Sequence, residues 1–381
     1  MSHSDFVRQM PDVSSHLARR DSIWQRLHID LPLMLLLMLL TGFGLFVLYS
    51  ASGQDMGTMQ RQGRFFIIAY VSMLVIAQFN LEQIKRLAPL AFVAGVGLLI
   101  AVAFFGVGAK GAQRWLSLGG FRFQPSEVMK LVVPMAVAWY FSKRALPPRF
   151  KYIVISLCLI MLPTILIAKQ PDLGTSILIA ASGLFVLFLA GISWTYIFGA
   201  AGFAVIAAFP MWLWVLRPYQ KQRILTMLDP ESDKLGAGWN IIQSKTAIGS
   251  GGFDGKGWLN GTQSQLDFLP ESHTDFIIAV LAEELGLKGV LILMALYLLI
   301  VGRGLWIGIN AQHCFGRLLA GSLTLTFFVY VLVNMGMVSG MLPVVGVPLP
   351  LVSQGGTSLV TLMAGFGLLM AISTEKKMMN Q

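Results

Sequence analysis

The chain has 381 residues, of which 56% are hydrophobic and only 12% charged, with a net charge of +10 and a mean hydropathy of +0.71. A soluble domain carries about twice that charged fraction, so composition excludes an ordinary water-soluble fold. The excess of Lys and Arg would suit nucleic acid, but in so apolar a chain it points to basic cytoplasmic loops and acidic lipid headgroups.

Residues 1–30 mix Arg8, Arg19, Arg20 and Arg26 with acidic side chains and read as a cytoplasmic segment. The first apolar run, Leu31–Tyr49, is long and lacks a small-residue cleavage site, so it reads as a retained span. Uncharged runs follow at Leu87–Val107, Leu173–Ile192, Trp194–Leu216 and Leu318–Leu342. Each approaches the roughly 20 residues that a helix needs to cross a bilayer core. Shorter apolar stretches begin at Phe65, Val128, Tyr152, Gly289 and Leu351. The predicted fold is an all-α polytopic membrane protein of about ten spans. Seven lie within 31–216, and three within 274–372 after a large polar segment, 217–273, with a tail at 373–381. Cys158 falls in a span and Cys314 in a short loop, so no disulfide framework is expected.

With both ends cytoplasmic, Lys85, Arg86, Lys143, Arg144, Arg149, Lys151, Arg303, Arg317, Lys376 and Lys377 all fall inside, as the positive-inside rule favours. The Gly-rich stretch Gly251–Gly257 lacks the spacing of a P-loop, because Ser250 and Gly257 stand where Gly and Ser/Thr are needed. No His pair or Cys cluster has metal-ligand spacing.

Ionisable residues beside apolar helices remain as candidates, being costly in lipid. Asp275 precedes the apolar run Phe276–Ala282 and reads equally as a helix-start carboxylate or a functional group. Glu127 and Lys130, three apart, share a helix face and can pair; a self-neutralising structural pair is at least as good a reading as a substrate site. Asp172 reads as a helix N-cap, while Glu283, Glu284 and Lys288 are expected at an aqueous boundary or inside the bundle. Arg114, Arg122, Arg217, Lys221, Arg223 and Lys245 make a basic outer surface. This is either solvated loop charge or a site for an anionic headgroup such as pyrophosphate.

Several runs resemble a known family: Lys110–Trp115, Phe123–Glu127, Gln170–Ser176, Gly257–Gln265, Phe268–Phe276 and Leu342–Pro350. In order and spacing they are similar to the SEDS family (shape, elongation, division and sporulation), and most to its elongation branch. The resemblance implies a peptidoglycan glycosyltransferase that polymerises lipid II at the periplasmic face of the bacterial inner membrane. Its implied partner is a class B penicillin-binding protein, the crosslinking transpeptidase of the elongation machinery. It also implies that Asp275 is catalytic and that Arg114, Glu127, Lys130, Asp172 and Arg223 are functionally sensitive; Lys245 joins them as a basic substrate-binding candidate. Two positions depart from the family pattern: Gln354 replaces an aromatic Tyr, and Lys221 stands where relatives often have Arg.

The implied chemistry needs one base, because a pyrophosphate leaves without a proton. The leaving charge needs cations, supplied by Arg and Lys or by a divalent metal, Mg or Mn, for which the sequence shows no dedicated cage. A lipid II transporter is the alternative reading and a noncatalytic scaffold the third.

Overall fold

The computed structural model describes residues 27–375, except 110–111, 119–120, 234–235, 266–268 and 270. The N-terminal arginines, Lys110, Lys376 and Lys377 therefore lie outside the described residues, as does the Arg122 side chain.

Among the described residues, ten helices of seventeen residues or more fall on the ten apolar stretches: α1 (Leu31–Ala51), α2 (Met56–Ala77), α3 (Leu81–Phe105), α4 (Pro125–Ser142), α5 (Phe150–Lys169), α6 (Leu173–Leu189), α7 (Trp194–Pro210), α11 (Ile277–Asn310), α12 (Cys314–Val338) and α13 (Thr357–Ser373). Between α7 and α11 lie three shorter helices, α8 (Pro218–Leu228), α9 (Ala237–Gly251) and α10 (Thr262–Gln265). Six helices, α1, α3, α5, α7 with its five-residue π-helical continuation, α11 and α12, are long and apolar enough to cross a membrane. The helices α6 and α13 are apolar but shorter. Arg61 and Arg64 in α2, and the Glu127–Lys130 pair in α4, make those two more polar.

Several boundaries differ from expectation for local reasons. Asp55 caps α2, accepting from the N–H groups of Gly57 and Thr58, so that helix begins well before Phe65. The last helix starts at Thr357 instead of Leu351, because Pro343, Pro348 and Pro350, with Gly346, Gly355 and Gly356, keep 343–356 irregular. The stretch expected from Gly289 is the second half of α11, which kinks at Gly286 (φ 64°).

The fold is mostly helical, as expected, and adds one small sheet beyond that expectation. Strands β1 (Val107–Ala109), β2 (Ala112–Leu118) and β3 (Phe121–Phe123) form an antiparallel sheet in that order. Leu118 pairs with Phe121, and the two residues between them in the sequence are Gly119-Gly120.

Among the described residues the core is one large apolar cluster, built where α13 packs on α2, α11 on α12 and α1, and α6 on α5 and α12, with a small second cluster of Leu178, Tyr330 and Val347. Large apolar side chains such as Ile67, Val93, Phe104 and Leu291 remain exposed on the outer faces. This is the pattern of a bundle whose solvent is lipid. The helix α7 has no buried residue.

Candidate functional site

The N-terminal end of α4, the sheet, the start of α6, the middle of α12 and the 346–359 stretch enclose a cavity of about 750 Å³. Its charged lining consists of Arg114, Glu127, Lys130 and Asp172. Pro125 starts α4 at its first position, which places Glu127 in the first turn, where the helix dipole favours a carboxylate. Lys130 follows one turn later, and its ammonium donates to Glu127 Oε1 at 2.7 Å. Both residues are buried, 6% and 9% exposed. The ammonium also lies 5.1 Å from the Tyr330 ring centroid, a cation–π contact across to α12. Glu127 Oε2 is buried without a hydrogen-bond partner, so this cavity carboxylate has an acceptor in reserve.

A second pair closes the adjacent wall. Asp172 caps α6, accepting from the Thr175 N–H at 3.3 Å. Its other oxygen accepts from Gln124 Nε2 at 3.2 Å and lies 3.8 Å from the Arg114 guanidinium. Arg114 also donates to the carbonyls of Gln170 and Pro171. One guanidinium from β2 thus clamps the turn that presents Asp172.

Asp275 is half-buried and precedes Phe276, the N-cap of α11, so it sits one residue outside the helix that the sequence has it starting. Its Oδ2 is 3.5 Å from where a Cβ would stand on Gly346, a cavity-lining residue with φ 76°. Asp275 is not itself among the lining residues; its carboxylate stands against Gly346, whose positive φ favours glycine at this point of the cavity wall.

The basic outer surface is not one patch. Arg114 belongs to the cavity, whereas Arg223 donates to the Val345 carbonyl at 3.4 Å from outside it. Lys245 is exposed and rests over Gly340, away from the cavity. Lys221 reaches back to Trp212, 5.9 Å from its ring centroid. Glu283 and Glu284 are buried, 0% and 2% exposed, and are absent from the cavity lining, while Lys288 is exposed. Sequence reasoning gave no role to Gln124 or Tyr330, although a lone tyrosine within an apolar span is a signal of its own.

The fold and site define a polytopic helical membrane protein with an open, charge-lined cavity at one end of its bundle. A family model for the FtsW/RodA/SpoVE cell cycle proteins matches residues 31–378, and the chain belongs to that family. It is 55% identical over 363 residues to the peptidoglycan glycosyltransferase MrdB of Escherichia coli (strain K12), covering 95% of this chain and 98% of that protein. It is 38% identical over 366 residues to the probable peptidoglycan glycosyltransferase FtsW of Trichlorobacter lovleyi, covering 92% and 94% of the two chains. Among solved structures, it is similar to a chain of a peptidoglycan synthase complex described as coordinating polymerisation and crosslinking, with a TM-score of 0.81, 28% identity and coverage of 92% and 98%. The rod shape determining protein RodA of Thermus thermophilus superposes with a TM-score of 0.69 at 25% identity, covering 91% and 97%.

Proposed function

We propose that this chain is a peptidoglycan glycosyltransferase that polymerises lipid II during cell elongation. Its ten long helices cross the bacterial inner membrane with both ends in the cytoplasm, which puts 217–273 and the cavity on the periplasmic side. The reading is carried by one observation: the Asp275 carboxylate stands against Gly346, a wall residue of a cavity that carries two cations and two further carboxylates.

In the reaction, a sugar hydroxyl of the acceptor attacks the anomeric carbon of the donor with inversion. Its proton passes to Asp275 as the new C–O bond forms, and the bond to lipid pyrophosphate breaks. Arg114 and Lys130 turn toward the departing phosphates, and Glu127 Oε2 accepts from a substrate hydroxyl or amide. Arg223 and Lys245, lying outside the cavity, attract the anionic headgroup on approach. Among the described residues no group of three His, Cys, Asp or Glu could hold a Mg or Mn ion, and no step is routed through one. The partner is a class B penicillin-binding protein that crosslinks the new strands.

The test uses purified protein in detergent with lipid II, with and without that partner, beside Asp275→Asn. Polymer from the wild type is expected, since polymerisation, unlike transport, needs no sealed membrane. General-base removal costs about 10²- to 10⁴-fold in rate, whereas Asn keeps the size of Asp and removes no helix cap, since Phe276 is the N-cap of α11. A wild-type complex that makes no glycan would overturn the activity. A folded Asp275→Asn with near-normal polymerisation would overturn the base.

A further inference from the structure

The mechanism makes no use of a fully buried amide. Asn334 is 0% exposed in α12, one turn from Tyr330 and on the same face. Its Nδ2 donates to the Asp275 carbonyl at 2.9 Å and to the Val347 carbonyl at 2.8 Å. The amide therefore ties the residue before α11 to the cavity-lining stretch that contains Gly346, next to which the Asp275 carboxylate lies. The arrangement leaves Asn334 Oδ1 buried with no hydrogen-bond partner. An unmet acceptor is costly, so what the fold retains here is the pair of donors.

Ser353 supplies a second tie one residue earlier. Its Oγ donates to the Thr274 carbonyl at 2.5 Å and accepts from the Leu349 N–H at 2.9 Å. The Gln354 N–H donates to the His273 carbonyl at 2.9 Å. Three consecutive carbonyls, those of His273, Thr274 and Asp275, are thus held by α12 and the 343–356 stretch. This leaves the Asp275 backbone little freedom to rotate its side chain away from the cavity.

We infer that Asn334, assisted by Ser353, is a positioning residue that fixes the main chain of Asp275 so that its carboxylate stays against Gly346 at the cavity wall. The inference rests on Asp275 being the base, and it adds a residue that acts only through it. A misplacement of about 1 Å at a reacting group can cost about 10²-fold in rate.

The experiment measures kcat and KM for lipid II on the complex with its penicillin-binding protein. It compares wild type, Asn334→Leu, Ser353→Ala, Asp275→Asn and the double variant Asp275→Asn/Asn334→Leu, with thermal midpoints in detergent as the folding control. For Asn334→Leu we expect kcat to fall about 10- to 100-fold with KM within about threefold, and a smaller loss of the same kind for Ser353→Ala. The double variant should be no slower than Asp275→Asn alone, because a residue acting through Asp275 has nothing left to position. An unchanged kcat in a folded Asn334→Leu, with Asp275→Asn inactive, sinks the positioning role and leaves the base intact. So does a full further loss in the double variant. Near-normal rates for Asp275→Asn sink both. Should Asn334→Leu not fold, Ser353→Ala alone decides, and a normal kcat there rejects the inference.

Discussion

Glu127 and Lys130 hold each other's charge in a place where neither could stay alone. At 2.7 Å and about nine-tenths buried, the pair is the kind whose breaking costs more than its presence contributes. Either Glu127→Ala or Lys130→Ala leaves one buried charge unpaired, and each is expected to lose about 3–5 kcal/mol, read as a drop in the thermal midpoint in detergent. Removing both charges should restore much of that stability. Polymerisation should not return with it, because Glu127 Oε2 and the ammonium both line the cavity. Full recovery of lipid II polymerisation in the double variant would reduce the pair to a structural one. The pairing was legible in the sequence, because i and i+3 on one helix face are neighbours by geometry alone. The contacts of Arg114 with Asp172 and of Lys130 with Tyr330 were not, because they join helices and strands far apart in the chain, and only the packed bundle brings them together.

Among the elements, the Gly-rich stretch that fails as a phosphate loop has a structural use. The backbone of 252–257 wraps the kink in α11: the N–H groups of Lys256 and Gly257 donate to the carbonyls of Glu283 and Glu284, and those of Leu287 and Lys288 donate to Gly252 and Phe253. Glu283 turns its carboxylate outward to this collar, accepting from Lys256 Nζ at 2.7 Å, from Thr262 N–H at 2.8 Å and from Gln263 N–H at 3.0 Å. Trp258 then stacks on Phe46 of α1 with centroids 4.7 Å apart. Gly255 is required twice over, by φ 80° and by the Glu284 carbonyl, which lies 2.2 Å from a would-be Cβ. Gly255→Ala should therefore cost about 1–3 kcal/mol, lower the thermal midpoint and open the collar to trypsin at Lys256. Unchanged melting and unchanged cleavage would show that the collar is not anchored there. The glycines were visible in the sequence, but their docking surface, a kinked helix later in the chain, was not. The sheet was missed for a different reason. Alternating Leu116-Ser-Leu and Phe121-Arg-Phe around Gly119-Gly120 is a hairpin signal, yet so short a one is submerged beside apolar runs.

On the scale of the whole molecule, the end opposite the cavity is closed by Asp30. It caps α1 and accepts from Arg303 of α11 at 3.0 and 2.7 Å and from Ser373 of α13 at 2.5 Å, joining three helices at one carboxylate. Burial works to raise its pKa, but the hydrogen bonds from Arg303, Ser373 and the Leu33 N–H outweigh it, and the group is held below its ordinary value. A depressed carboxylate stabilises the fold fully above its unfolded pKa and loses that contribution only as pH falls through the folded one. The thermal midpoint of Asp30→Asn should thus lie below wild type at pH 7 and at pH 5, the gap closing only below about pH 4. A gap that closes between pH 7 and 5 would contradict the ion pair. The two ends of the bundle then differ in kind, one sealed by a three-helix clasp and the other opened by the charge-lined cavity. In the proposed topology the open end is periplasmic, and the basic residues of the opposite loops favour that orientation. With Cys158 and Cys314 replaced by Ser, Ser232→Cys should react with an impermeant thiol reagent in intact spheroplasts. Leu146→Cys, in the connection between α4 and α5, should react only after lysis; both positions are exposed. The reverse pattern would turn the molecule over, place the cavity in the cytoplasm, and leave a periplasmic polymerase without a site.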